Sequence, residues 1–169
     1  SIFKGGLEFE TYQEILKGIN GDLAYSPFNY DLYARIIEEK NLFIMPSVDQ
    51  GVGIFPNAKP RAIENGQATS LKDLQAGTDI PEFFNDFETA TAVLNISLAI
   101  QTYYALNMTG FNGKGRVFIE GGFRKNEAYI NLLGALYPEA TISLTKMDEA
   151  TAFGAAILAK AALDGVTPD

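Results

Sequence analysis

Cysteine and histidine are both missing from this chain of 169 residues. Without cysteine there is no disulfide and no thiol chemistry, a composition that fits a reducing cytoplasm. Without histidine the chain cannot hold a Ser-His-Asp triad, a histidine general base or the common zinc sites. Positive charge is scarce as well: 13 Lys and Arg stand against 21 Asp and Glu, a formal net charge of −8. Such a surface cannot neutralise a run of phosphates, which argues against nucleic acid as a partner. A single phosphorylated ligand stays open, because it needs only local donors. Long hydrophobic runs are absent too. Stretches such as Ile96 to Ile100 are far too short to span a bilayer, which argues against a membrane, and no signal peptide opens the chain.

With 47% hydrophobic and 20% charged residues, the chain has the material for one domain with a core of its own. Periodicity predicts a helix over Glu8 to Gly18, with Phe9, Tyr12, Ile15 and Leu16 on one face and Gly18, Asn20 and Gly21 as its stop. A second helix is expected over Tyr30 to Lys40, turning Leu32, Tyr33, Ile36 and Ile37 inward. Leu42 to Met45 reads as a buried strand closed by Pro46. Ser47 to Gly66 is a long Gly-, Pro- and Asn-rich loop with room for a hairpin, and Leu71 to Ala76 is a short helix. Pro81 opens a long helix to about Asn107, apolar around most of its circumference and therefore buried between layers. The tail alternates strand (Arg116 to Glu120), helix (Lys125 to Tyr137), strand (Thr141 to Leu144) and helix (Glu149 to Leu163). That alternation indicates an α/β domain with parallel pairing at its end. No internal repeat or low-complexity tract interrupts it.

The strand-to-helix step at Gly121 and Gly122 is where chemistry is expected. A glycine pair removes Cβ from the turn, so a ligand can lie against bare backbone. The following helix aims unpaired N–H groups and its positive dipole end at the same spot, which suits a nucleotide. The bland alternative is a tight turn that needs glycine for steric reasons alone. Asn126, about a turn further on, can offer both donor and acceptor to a base or ribose, or simply face solvent.

Around this turn the residues Gly121, Gly122 and Asn126, then Glu149-Ala150-Thr151-Ala152, Gly154-Ala155-Ala156 and Leu158-Ala159, resemble the C-terminal end of the FGGY carbohydrate kinases. The resemblance extends upstream. Phe3 to Glu10 is similar to the family's F-x-x-G-x-x-I-Q segment, with Gly6, Phe9 and Glu10 on the matching positions. Pro46, Gly51 and Pro56 resemble a P-x-x-x-G-x-x-x-P loop, although Ala62 replaces the glycine of the A-R-G segment that follows. Ser97 to Thr102 resembles S-I-A-Y-Q-T, but the Arg and Glu that usually precede it are Ala92 and Ile96 here. Both charges are lost together, so neither is left unpaired and the fold should survive.

The resemblance implies an actin-like ATPase (ribonuclease H-like) α/β domain, incomplete at its N-terminal side, with residues 1–169 as the C-terminal nucleotide-binding domain of a longer two-domain protein. Such a protein transfers the γ-phosphoryl of Mg-ATP to a sugar, ketose or polyol hydroxyl. ATP and Mg2+ are then the cofactors, and the partners are a small sugar and the preceding domain; a homodimer stays open. The implied nucleotide contacts are Gly6, Phe9, Glu10, Gly121, Gly122, Phe123 and Asn126. Phe9 serves equally well as a core residue. Glu10 stands where the family often has Gln and can only accept. Glu149 caps the last helix, and the small residues after it reflect close helix-to-sheet approach. Lys4, Arg124 and Lys125 are candidate phosphate partners or plain solvated surface. The family's aspartate base and its D-x-G-T and second G-T phosphate loops do not occur in this chain, so no residue here is expected to be catalytic and the chain alone is expected to be inactive. Two rivals remain. One is a Rossmann-type dinucleotide binder, opposed by the missing third glycine in G-G-F-R-K-N. The other is a non-catalytic module that keeps the actin-like fold without turnover.

Overall fold

The computed structural model describes residues 4–24, 27–145, 159, 160 and 163. The chain opens with helix α1 (Gly5–Asn20), whose buried stripe is Gly5, Glu8, Tyr12, Gln13 and Leu16. The stripe is turned from the expected one: Phe9 and Ile15 flank the core, and Glu8 takes an inward place. Gly21 ends the helix with φ +80, a backbone angle that side chains resist. The Asn20 amide then bonds the carbonyls of Leu16 (3.0 Å) and Phe84 (2.9 Å), fixing the helix end against the middle of the chain.

Helix α2 (Tyr30–Glu39) is capped by Asn29, whose side chain accepts from the Leu32 N–H at 3.2 Å. Leu32, Tyr33 and Ile36 face inward, but Ile37 does not; it is 49% exposed. Strands β1 (Leu42–Met45), β2 (Arg61–Glu64) and β3 (Gln67–Ser70) form an antiparallel meander with Ile44 opposite Ala62 and Ala62 opposite Thr69. The hairpin straddles the end of the expected loop, because Asn65 and Gly66 both adopt positive φ (49° and 82°) and form its two-residue turn. Helix α3 (Leu71–Ala76) follows at once, capped by Ser70.

Pro81 opens only a 3-10 turn (Glu82–Asn85), and the Glu64 carboxylate accepts its first N–H groups at 2.7 and 3.2 Å. The long helix α4 (Phe87–Met108) starts later than expected. The Asp86 side chain accepts from the N–H groups of Glu88 and Thr89, and it can do so only while Asp86 itself stays extended (φ −107°, ψ 99°). The first half of α4 is buried nearly all round and packs against α1, α2 and β1. Ala92 is buried here and Ile96 packs on the core, so both apolar replacements sit among apolar neighbours.

Strand β4 (Gly115–Ile119), a 3-10 turn (Gly121–Lys125), helix α5 (Glu127–Leu136) and strand β5 (Ala140–Leu144) complete the description. The strands pair in parallel, Val117 opposite Ile142 and Ile119 opposite Leu144, with α5 as the crossover against α4. The expected helix over Lys125 to Tyr137 is thus a 3-10 turn and then α5, because Asn126 interrupts it as a cap. The described residues make a mixed α/β fold. Among them, no helix is long and apolar enough to cross a membrane. Ala159, Lys160 and Leu163 are helical; the motif residues Glu149 to Leu158 lie outside the described residues.

Candidate functional site

Buried Ile119 ends β4 and delivers the chain to the glycine pair. The two glycines differ. Gly121 has φ +66, so backbone conformation alone accounts for glycine there. Gly122 has no positive φ, and a Cβ built on it would meet nothing within 4 Å. Among the described residues, nothing demands glycine at position 122. Arg124 braces the turn from outside, donating from Nε to the Gly121 carbonyl (3.2 Å) and from Nη1 to that of Thr145 just beyond β5 (2.8 Å). Phe123 turns its ring inward, 5.9 Å from Phe9 of α1 and 4.5 Å from Tyr129 of α5.

Asn126 has both ends of its amide engaged. Its Oδ1 accepts from the Tyr129 N–H at 3.0 Å, capping α5, and its Nδ2 donates to Oδ1 of Asn95 at 2.7 Å. Asn95, buried on α4, donates in turn to the Tyr33 hydroxyl at 3.0 Å. One N–H of Asn126 is left for any further partner. Burial raises the Tyr33 pKa above its usual value, against the Asn95 hydrogen bond and with help from the Glu88 charge. Burial likewise pushes Tyr129 up to about 12, against its hydrogen bond with Thr102. Both phenols are therefore neutral near pH 7, and Tyr33 keeps an O–H to donate.

These groups surround a cleft of about 510 Å³ between α1, α2, the start of α4 and the start of α5. Phe9, Phe28, Tyr33 and Phe87 supply aromatic walls, while Asn29, Glu88, Thr91, Asn95 and Asn126 supply polar groups. Its size and its mixture of aromatic wall and sparse polar groups suit a flat heterocycle. Of the residues expected to bind a nucleotide, Phe9, Gly122 and Asn126 line the cleft together. Gly121 and Phe123 belong to the same turn, beside it. Gly6 and Glu10 are exposed on α1 and do not line it. Lys125 lines the rim, whereas Lys4 is engaged by Asp49.

Sequence reasoning passed over Thr91, Asn95, Glu88 and Tyr33. A signal was there: Thr91 and Asn95 are polar residues four apart in a largely apolar stretch of the helix, so they share one face. For a divalent ion the described residues do not fit, since no group of three or more metal-ligating side chains converges among them. Hard cations need such oxygen-rich sets or the phosphates of a bound nucleotide.

A family model described as "Carbohydrate kinase FGGY, C-terminal domain" matches residues 1–167. A solved structure of a carbohydrate kinase from Novosphingobium aromaticivorans superposes with a TM-score of 0.56 at 23% identity, over 99% of this chain. That superposition shows a shared fold, and the chain spans only 30% of that protein's length. No curated protein matches the chain.

Proposed function

The chain belongs to the FGGY carbohydrate kinases, matching their C-terminal domain, and from that membership we propose that it is the ATP-binding half of an enzyme that phosphorylates a sugar, ketose or polyol. In this reading residues 1–169 are the C-terminal domain of a longer cytoplasmic protein with the actin-like ATPase architecture. The preceding domain supplies the aspartate base, the first phosphate loop and most sugar contacts, with a second phosphate loop just upstream of these residues. The observation that carries the reading is Gly122, a glycine that none of the described residues requires, at the edge of an aromatic-walled cleft. Such a position is explained by a ligand that needs the backbone bare.

The base would lie against the wall that includes Phe9, with the ribose and α-phosphate side over Gly122 and the spare N–H of Asn126 as a donor. Glu10 and Gly6 would serve the outer rim of α1, and Phe123 would hold Phe9 in place. Phosphoryl transfer depends on positioning and on charge stabilisation around the phosphates. ATP would supply the transferable group, and Mg2+ would come with the nucleotide, since the described residues offer it no site. This chain contributes binding and orientation, and none of its residues is assigned a catalytic role.

The test is Gly122→Val in the full-length enzyme. Because the added Cβ meets nothing within 4 Å among the described residues, the variant should fold normally, and the apparent KM for ATP should rise about ten-fold or more while the KM for sugar stays nearly constant. Normal ATP kinetics in a variant of unchanged thermal stability would mean that the turn is structural and the nucleotide sits elsewhere.

A further inference from the structure

Glu8 breaks the pattern of the helix it sits on. It lies in the buried stripe of α1 with Tyr12 and Leu16, 6% exposed, where packing alone calls for an apolar side chain. Its carboxylate is used at both oxygens. Oε1 accepts from the backbone N–H of Ser47 at 2.8 Å, and Oε2 accepts from Nε2 of Gln101 on α4 at 2.9 Å. Ser47 reaches this position with φ +81, a conformation costly for a residue with a side chain, and its hydroxyl is turned onto the Phe55 carbonyl at 2.5 Å. A buried charge and a strained residue thus meet at one hydrogen bond. Two residues further along the same loop, Asp49 pairs with Lys4 at the entry to α1.

We infer that Glu8 is a positioning residue for the nucleotide cleft: with Lys4 it fixes the roll and depth of the first turns of α1 against the 47–49 loop and α4. This inference rests on the nucleotide reading given above. The first turn of α1 lacks a side-chain cap, since Lys4 at that position provides none. Its placement therefore depends on tethers from outside the helix. Phe9, the residue after Glu8, lines the cleft, and Gly6 lies one helical turn before Phe9. A change in roll at Glu8 is carried directly to Phe9, and so to the cleft wall. The opposite face of the carboxylate's anchor is equally firm, because the Gln101 amide also donates to Ser97 at 3.3 Å on its own helix.

Removing the carboxylate and preserving its hydrogen bonds are separable. Glu8→Ala leaves the Ser47 N–H and one Gln101 N–H without acceptors. Glu8→Gln keeps an oxygen for Ser47, and its amide N–H groups can meet Gln101 once the Gln101 amide flips, with the Ser97 hydroxyl then donating instead of accepting. The experiment is calorimetric titration of MgATP into the full-length protein and its variants, each well below its own melting temperature. Glu8→Ala should weaken binding about ten-fold, Glu8→Gln should restore it to within about two-fold, and Lys4→Ala on the exposed tether should weaken it about two- to three-fold. Gly122→Val is the control for the cleft. If it weakens MgATP binding while folded Glu8→Ala does not, Glu8 is merely structural and the inference is overturned, with the nucleotide reading intact. If both variants bind normally, the nucleotide reading falls and takes this inference with it. Should Glu8→Ala fail to fold, Lys4→Ala decides: binding equal to wild type overturns the inference. Equal losses in Glu8→Gln and Glu8→Ala overturn it too, since the hydrogen-bond geometry would then not be what matters.

Discussion

Asn126 serves two partners through one amide, and the cost of losing it follows from both. As a cap it satisfies the Tyr129 N–H at the start of α5, a contribution of about 1 kcal/mol. As a donor it satisfies Oδ1 of Asn95, a residue only 2% exposed. Stranding that oxygen adds about 1–3 kcal/mol. Asn126→Ala is therefore expected to lower the unfolding free energy by about 2–4 kcal/mol in urea titrations, more than a rim contact would. Asn95→Ala and Asn126→Ala made together should cost clearly less than the sum of the two, because they share one bond. Equal additivity would show that the two amides do not depend on each other. At this scale the sequence pointed Asn126 at a ligand; the structure adds that one donor and one acceptor position of its amide are spent inside the protein.

Among the elements, α4 matters most, because α1, α2, α5 and β1 all rest on it. Its start is set by Asp86, whose carboxylate accepts from the N–H groups of Glu88 (3.1 Å) and Thr89 (3.4 Å) and from the Thr89 hydroxyl (2.7 Å). Asp86→Ala should cost about 1–2 kcal/mol. For a protein of this size class that is a melting-temperature drop of several degrees, on the order of 2–4 °C per kcal/mol, readable by circular dichroism. An unchanged melting temperature would place the true helix start at Pro81, as proline alone suggests. The Asn65–Gly66 hairpin makes the complementary point: its turn is written in two adjacent residues, yet the strand it leads into, Gln67–Ser70, carries too little apolar character to announce itself.

For the molecule as a whole, stability resides in the apolar contacts made by the middle of α4. Leu94 and Leu98 are fully buried, whereas Ile100 is 45% exposed although it is only a short step along the same helix. Leu98→Ala should remove about 2–5 kcal/mol, while Ile100→Ala should stay near about 0.5 kcal/mol. Denaturant midpoints of the two variants check this directly, and similar values for both would mean that α4 is buried to a different side. The same helix carries Asn95 and Thr91 into the cleft, so a cavity in its core is expected to disturb the cleft as well.

Local pattern alone determined a good deal here. The β4, α5 and β5 sequence of a parallel unit, the glycine pair at its turn, the helical character of α1, α2 and α4 and the kinship to carbohydrate kinases were all legible, because each is a property of neighbours in the chain. Pairings across distance were not. That Glu8 faces inward depends on Ser47 and Gln101, residues 39 and 93 positions away. That Tyr33, Asn95 and Asn126 form one line of hydrogen bonds depends on three different helices meeting. A periodic pattern specifies which side of a helix is apolar, but a buried polar group is tolerable only where a particular partner arrives. That arrival is decided by how the helices pack, which is why the cleft's polar groups became visible only in the tertiary structure.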